Sequence, residues 1–291
     1  MKYLFVILSF LAFTNGFGQN MLDRSLKHYQ NGEFNEARIL IDSALTSELY
    51  AAENITWYLK GFIYKDLYKN SIENTEKENF RSESIVAFNT LLNMDSTEQY
   101  EQEARQNIKF LATTYFNEAI AIIDQQLFQL AKAYYTKFEE TLALVNDGSI
   151  SLAESKSRFY LTLGSAYVQL NAKDSIKDHN TDAVNAFEEV LAIDSTNKEA
   201  NYNIGVIYYN SAVSNILDLD YDDADILAFG KFEDRTIGLF KKSLPYMKRA
   251  YQAASEDENI LEGLAGIHFG LREFEISNKY KEELLALKEK K

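Results

Sequence analysis

Residues 160–208 read YLTLGSAYVQLNAKDSIKDHNTDAVNAFEEVLAIDSTNKEANYNIGVIY. Tyr160-x2-Leu163-Gly164-x2-Tyr167 opens one helix, and Ala183-x3-Phe187-x2-Val190 follows on a second that Asp194-Ser195 closes. Asn201-x2-Ile204-Gly205-x2-Tyr208 then begins the first pattern again. Large, small and large residues three to four positions apart lie on one face of a helix. Their return means that one helical hairpin is stacked on another. Glycine inside a helix costs about 1 kcal/mol relative to alanine. Gly61, Gly164 and Gly205 hold the same phase, as do Ala112 and Ala265, so a second helix must pass there too closely for a larger side chain.

The pattern extends in both directions. Met21–Leu45 gives a first hairpin, with a turn at Gly32-Glu33-Phe34 and Ala37-x3-Ile41-x2-Ala44 on its second helix. The second opens with Trp57-x2-Lys60-Gly61-x2-Tyr64, where Leu59 takes the apolar role that Lys60 cannot fill. A polar stretch, Asn70 to Glu83, intervenes before Ser84-x3-Phe88-x2-Leu91 and a closing Asp95-Ser96. The third is Ile108-x2-Leu111-Ala112-x2-Tyr115 with Ala131-x3-Tyr135-x2-Phe138. Ile120, Ile123 and Leu127 keep the helical period between them, so this hairpin is lengthened, and Asn146-Asp147-Gly148 signals the turn after it. The fifth is broken by an insertion, Ser211 to Lys242, before Ser243-x3-Met247-x2-Ala250, with Pro245 marking a helix start or kink. Leu261-x2-Leu264-Ala265-x2-His268, then Phe274, Ser277, Tyr280 and Leu284, form the sixth, and Lys288–Lys291 reads as a frayed tail. The fold class expected is all-α: an α-solenoid of about six hairpins, some with lengthened helices or insertions. One proline and twelve glycines in 291 residues agree with it.

Residues 1–18 read differently. Lys2, the apolar run Tyr3–Phe13 and the small residues Gly16 and Gly18 read as a secretory signal peptide, with the cut expected before Gln19. The run is shorter than the roughly 20 residues that a membrane helix needs. The expected domains are therefore 1–18 signal peptide and 19–291 repeat domain, with the mature chain exported, periplasmic or secreted, and not inserted in a membrane. A net charge of -14 repels a phosphate backbone and anionic lipid alike, so nucleic acid is excluded as a partner. With no cysteine there is no thiol nucleophile, thiolate metal site or lipidated cysteine.

The spacing of Trp57, Gly61 and Tyr64, of Leu163, Gly164, Tyr167, Ala183 and Phe187, and of Gly205 and Tyr208 resembles the tetratricopeptide repeat (TPR) family, in particular secreted TPR proteins of the Bacteroidetes. The likeness covers Met21 to Leu287. The family's closing proline is replaced by Ser96, Ser195 and Ser255, and Asp95-Ser96-Thr97 and Asp194-Ser195-Thr196 can end one helix and cap the next. These triplets, with Asp42-Ser43-Ala44 and Asp174-Ser175-Ile176, also look like O-glycosylation acceptors of such secreted proteins.

In repeats of this family the first helix of each hairpin lines a concave groove. The resemblance places there Leu22, Leu26, Tyr29 and Gln30; Tyr58, Phe62, Lys65 and Asp66; Lys109, Thr113, Phe116 and Asn117; Leu161, Ser165, Val168 and Gln169; Tyr202, Val206, Tyr209 and Asn210; and Glu262, Gly266, Phe269 and Gly270. Tyr58, Phe62, Lys109, Phe116, Asn117, Gln169, Tyr202, Tyr209 and Asn210 are the binding residues expected: aromatics for apolar area and amides for a peptide backbone. Lys65 and Lys109 do not match the arrangement by which family members grip a free carboxylate. The function implied is a non-enzymatic protein–protein interaction scaffold of the cell envelope; a glycan-binding repeat protein is the alternative, since Tyr and Trp with Asn and Gln also suit sugar rings.

No catalytic residue, metal or cofactor is expected. Asp218-x-Asp220-x-Asp222 has the opening of a calcium loop, but Asp223 stands where the turn needs glycine and Phe229 where a bidentate Glu is needed. His28, His179 and His268 fall in different hairpins, and His268 takes an aromatic's place in the repeat, as a packed ring would. HExxH, GxSxG and phosphate-loop motifs are absent.

Overall fold

Each paired pattern is a pair of helices in the computed structural model of the chain, which describes residues 19–94, 98–145, 148–173, 178–217 and 226–290. The described residues hold thirteen helices, twelve of which form six hairpins. These are α1 (Gln19–Gln30) with α2 (Phe34–Ala44), α4 (Asn54–Asn70) with α5 (Asn74–Leu92), and α6 (Glu98–Asp124) with α7 (Phe128–Ala143). Then follow α8 (Leu152–Lys173) with α9 (Asn180–Leu191), α10 (Lys198–Leu217) with α11 (Ile226–Ala253), and α12 (Glu258–Gly270) with α13 (Phe274–Glu289). A single turn, α3 (Glu48–Ala51), joins the first two pairs and buries Tyr50. The chain is thus all-α and TPR-like, built in the manner of an α-solenoid: α2 packs on α4, α9 on α10 and α11 on α12, each second helix meeting the next first helix. Two compact units divide it, Met1–Glu118 with Ala133–Asp147, and Ala119–Lys132 with Gly148–Lys291.

The recurring small residue does what its phase requires. A Cβ on Gly61 would sit 2.5 Å from the Phe88 ring, and one on Gly164 2.7 Å from that of Phe187. Phe88, Phe187 and Met247, which Gly205 faces in the fifth hairpin, are fully buried. The contact also carries a hydrogen bond wherever the second helix offers serine in place of alanine. Ser84 Oγ donates to the Gly61 carbonyl (2.8 Å), Ser243 Oγ to that of Gly205 (2.7 Å) and Ser277 Oγ to that of Ala265 (2.8 Å). In the first hairpin the device is inverted, with Ser25 on α1 donating to the Ala37 carbonyl of α2 (2.9 Å).

Three hairpin turns close alike. The Glu33 amide donates to the His28 carbonyl, Leu127 to Ile122, and Glu273 to His268, each across a left-handed residue: Gly32 (φ +81°), Gln126 (φ +61°) and Arg272 (φ +62°). This is the glycine-type helix stop, and only the first turn uses glycine for it.

Several expectations are corrected. Asn70–Glu83 is not an interruption: Asn70 ends α4, and Asn74–Glu83 is the first half of α5. Outside residues 218–225, the insertion Ser211–Lys242 is helix, with Ser211–Leu217 extending α10 and Ile226–Lys242 extending α11. The fifth hairpin is therefore lengthened like its neighbours. Pro245 lies inside α11 and neither starts nor ends it. Lys288 and Glu289 belong to α13. Asp194 closes its turn by accepting from the Thr196 amide and hydroxyl (2.9 and 2.6 Å), but Asn197 caps α10, accepting from the Ala200 amide (3.0 Å). Asp42–Ala44 is the end of α2. The signal peptide, the Asp218–Asp222 run and the triplets 95–97 and 174–176 lie outside the described residues, as do Asn146 and Asp147 of the turn signal. No helix of the described residues is long and apolar enough to cross a membrane.

Candidate functional site

The first-helix positions of the two units have opposite surroundings. In the first unit they are occupied by the protein itself. Tyr58 is buried, its ring 4.9 Å from Phe62 and 4.5 Å from Tyr100 on α6, and its hydroxyl donates to Glu103. Phe62 meets Phe88 edge-on at 5.4 Å. Lys65 is buried over the Phe62 ring (4.0 Å) and donates to Asn107 Oδ1 (2.7 Å). Burial lowers the pKa of its ammonium to about 8, against the opposing pull of Asp66. Asp66 accepts from the Tyr29 hydroxyl (2.6 Å), and burial with that bond raises the Tyr29 pKa. Phe116 is buried against Phe138 (5.2 Å) and Tyr135 (6.3 Å). Of the expected binding residues in this unit, Lys109 is half-buried and Asn117 alone is exposed.

A charged cluster that the sequence did not announce lies behind these positions. Arg81 of α5 is 1% exposed, with its guanidinium 3.6 Å from the Tyr115 ring centre, 5.1 Å from that of Tyr68 and 5.6 Å from that of Tyr134. It pairs with Glu78 and, at 2.9 Å, with Glu118, and donates to Thr114 Oγ1 at 3.1 Å. Lys137 and the Tyr115 hydroxyl also reach Glu78, and Lys77 lies 3.7 Å from Glu118. Burial disfavours the Arg81 charge, but the bond to Glu78 and the charges of Glu118 and Glu78 outweigh it and raise its pKa. An arginine in a polar stretch is ordinarily solvent-facing. The one available signal was Phe80, apolar at a helical step from Ala87 and Phe88.

In the second unit the α8 positions and two of those on α10 open onto cavities. One, of about 760 Å³, runs along α8 from Ala153 through Ser157, Leu161 and Ser165 to Gln169, with Ile123, Asp124, Ile193, Asp194, Asn197 and Glu199 around it. The other, of about 430 Å³, is lined by Val168, Asn171 and Ala172 of α8, by Asn203, Val206, Asn210 and Asn215 of α10, and by Asn180 and Arg235. All four positions expected on α8 line one cavity or the other, and Val206 and Asn210 of α10 line the second. Tyr202 and Tyr209 do not. Tyr209 packs against Phe240 (5.8 Å) and reaches over Gly266, where a Cβ would meet its hydroxyl at 2.6 Å. Tyr202 is partly buried on the same core cluster.

The histidines are built into the packing. His268 is buried, stacked on Tyr280 (5.6 Å between ring centres), with Nδ1 paired to Glu273. His28 pairs with Glu33 (2.5 Å) across the equivalent turn of the first hairpin. His179 stacks on Tyr167 (6.2 Å). Among the described residues no three His, Asp or Glu side chains converge as metal ligands would.

No family model matches the chain, and no curated protein does. Solved structures similar to it in trace include the MamA protein and the TPR domain of P58(IPK). The MamA protein is 15% identical with a TM-score of 0.31, over 79% of this chain and 93% of that one. The TPR domain of P58(IPK) is 13% identical with a TM-score of 0.23, over 94% and 98%. Likenesses this slight carry no argument; the repeat is read from the hairpins themselves.

Proposed function

We propose that the chain is a binding scaffold, with no enzymatic activity of its own, that docks an extended peptide or protein segment on its first-helix face. The observation that carries this reading is the pair of cavities along α8 and α10, which take in the α8 positions Leu161, Ser165, Val168 and Gln169 together with Val206 and Asn210. Asparagine and glutamine side chains there offer donors and acceptors to a strand-like backbone. The setting proposed is the cell envelope or the exterior, as in secreted Bacteroidetes-type repeat proteins, on the ground of the leader-like residues 1–18. Fractionation with amino-terminal sequencing tests it: a mature chain starting at Gln19 outside the cytoplasm is expected, and an uncleaved cytoplasmic chain would remove that part. The docking itself is tested by capture from an envelope extract on the wild-type chain and on Ser165→Trp, which puts an indole into the larger cavity. Proteins held by the first and lost from the second are the expected result, and identical retention would defeat the reading.

Glycan binding is the second reading, favoured by the smaller cavity, where five asparagines stand around Val206. A glycan array bound by the wild-type chain while no protein is captured would put it first.

A further inference from the structure

The two cavities of the second unit differ in the charge of their walls. The larger has carboxylates from three directions: Asp124 at the end of α6, Glu154 on α8, and Asp194 and Glu199 at the entry to α10, against the single base Arg158. Leu161, Ala166 and Ile193 give its wall an apolar part, and Ser157 and Ser165 keep it open. The smaller has no carboxylate; its charged residue is Arg235, and the rest of its polar wall is amide and hydroxyl. Several of those amides are held at one end by the fold. Asn203 donates to the Glu199 carbonyl (2.9 Å), Asn215 to Thr236 Oγ1 (2.6 Å), and Asn171 accepts from the His179 amide (2.9 Å). An amide held at one atom is fixed in direction and has further bonds to give.

Both cavities are lined by α8, the first as far as Gln169 and the second from Val168 to Ala172. Ala153 to Ala172 of α8 spans both and rises ~28 Å, which is the length of about nine extended residues. We propose that this face takes an extended peptide that lays a lysine or arginine side chain in the acidic cavity and runs its backbone over the asparagines of the neighbouring one. The inference rests on the docking reading above and adds the chemistry of the partner. Three features select that occupant. Four carboxylates against one guanidinium repel an acidic segment and attract a basic one. The acids are spread around a space large enough for side chains rather than gathered on one point, which suits a long flexible cation more than a metal ion. A lysine or arginine stem also covers apolar wall while its head stays with the carboxylates, and Leu161 and Ile193 supply that wall.

The test is selection of a phage-displayed random nonapeptide library on the full chain, on Glu154→Gln/Glu199→Gln and on Ser165→Trp, with circular dichroism confirming that each variant is folded. Peptides enriched in Lys and Arg are expected on the wild-type chain, with the bias lost on the Gln variant. A synthetic selected peptide should weaken about fivefold when its Lys or Arg becomes Gln, and the unchanged peptide should weaken as salt rises from about 0.05 to 0.5 M. Peptides selected without basic residues, yet lost on Ser165→Trp, would overturn the charge inference and leave the docking reading standing. Selection no better on the wild type than on Ser165→Trp would overturn both.

Discussion

The α4 and α8 hairpins share one internal contact and part company on the face beside it. Gly61 lies under Phe88 and Gly164 under Phe187 in the same geometry. Outward from that contact, α4 carries Tyr58, Phe62, Lys65 and Asp66, whose long side chains bond to Asn107, Glu103 and Tyr29 or stack on Tyr100 and Phe88. At the same steps α8 carries Leu161, Ser165, Val168 and Gln169, which leave the space unfilled. The repeat dictates the small residue and the ring that covers it, and leaves the first-helix face free. On α4 that freedom is used for self-contact; on α8 it leaves cavities.

If the first unit is held by its own polar contacts, Arg81→Ala should be the most damaging change. It removes the cation between Glu78 and Glu118 and leaves them only the ammonium groups of Lys137 and Lys77. Because the two carboxylates are themselves 26% and 31% exposed, the low end of the usual range for a broken buried pair applies, about 3 kcal/mol. Trp57, the single tryptophan, lies in this unit and reports its unfolding in urea. A loss below about 1 kcal/mol would show that the cluster is ornament to the unit rather than its support. The glycine contact, by contrast, should matter equally in both units. Gly61→Leu and Gly164→Leu should each lower stability by about 2 kcal/mol through overpacking, read as melting temperature. A variant that melts like the wild type in either unit breaks the equivalence. Smaller again are the serine bonds: Ser84→Ala and Ser243→Ala each remove one buried hydrogen bond from the contact, for a loss of about 1 kcal/mol. Denaturant midpoints of the two variants should shift alike, and a null effect in one hairpin would mean that its carbonyl finds another donor.

The hairpins were legible because their signal is steric and periodic. A glycine at a helical step from a large residue says the same thing wherever it stands, and six repetitions in phase leave little freedom. What escaped was of another kind. Asn74–Glu83 reads as an interruption because its helical face is polar, and Arg81 enters the interior only by stacking on Tyr68, Tyr115 and Tyr134, which come from other helices. The same blindness covered the extensions of α10 and α11, because the Asp-rich run 218–225 in the sequence between them breaks the apolar pattern. On the candidate face, the sequence placed the positions but not their fate. Tyr58 and Phe116 are buried by Tyr100 and Phe138, partners more than twenty residues away or on the returning helix. Gln169 and Asn210, with shorter-reaching neighbours, line the cavities. Whether an outward residue meets protein or space depends on the next hairpin's side chains, which no single repeat contains.

Lys65 gives the comparison a pH signature, because a buried ammonium on the filled face has no counterpart among the α8 positions. Its folded pKa is lowered to about 8 by burial, with Asp66 and Glu103 raising it and Lys69 lowering it in smaller measure. In the unfolded chain the ammonium keeps its ordinary value near 10.4. Between the two values the unfolded chain binds a proton that the folded chain has released, so stability rises with pH across that window. Below pH 8 both states are charged and the penalty of burying the charge is paid in full; above the unfolded value it is gone. Buried tyrosines such as Tyr58, whose pKa is raised by burial and by Glu103, act in the opposite sense, but only above about pH 10, where the unfolded phenols ionise first. Urea midpoints followed by Trp57 between pH 7.5 and 9.5 should therefore climb more steeply for the wild type than for Lys65→Met. Parallel curves would mean that the amine reaches water, and that the face of the first unit is less closed than that of a self-satisfied seam.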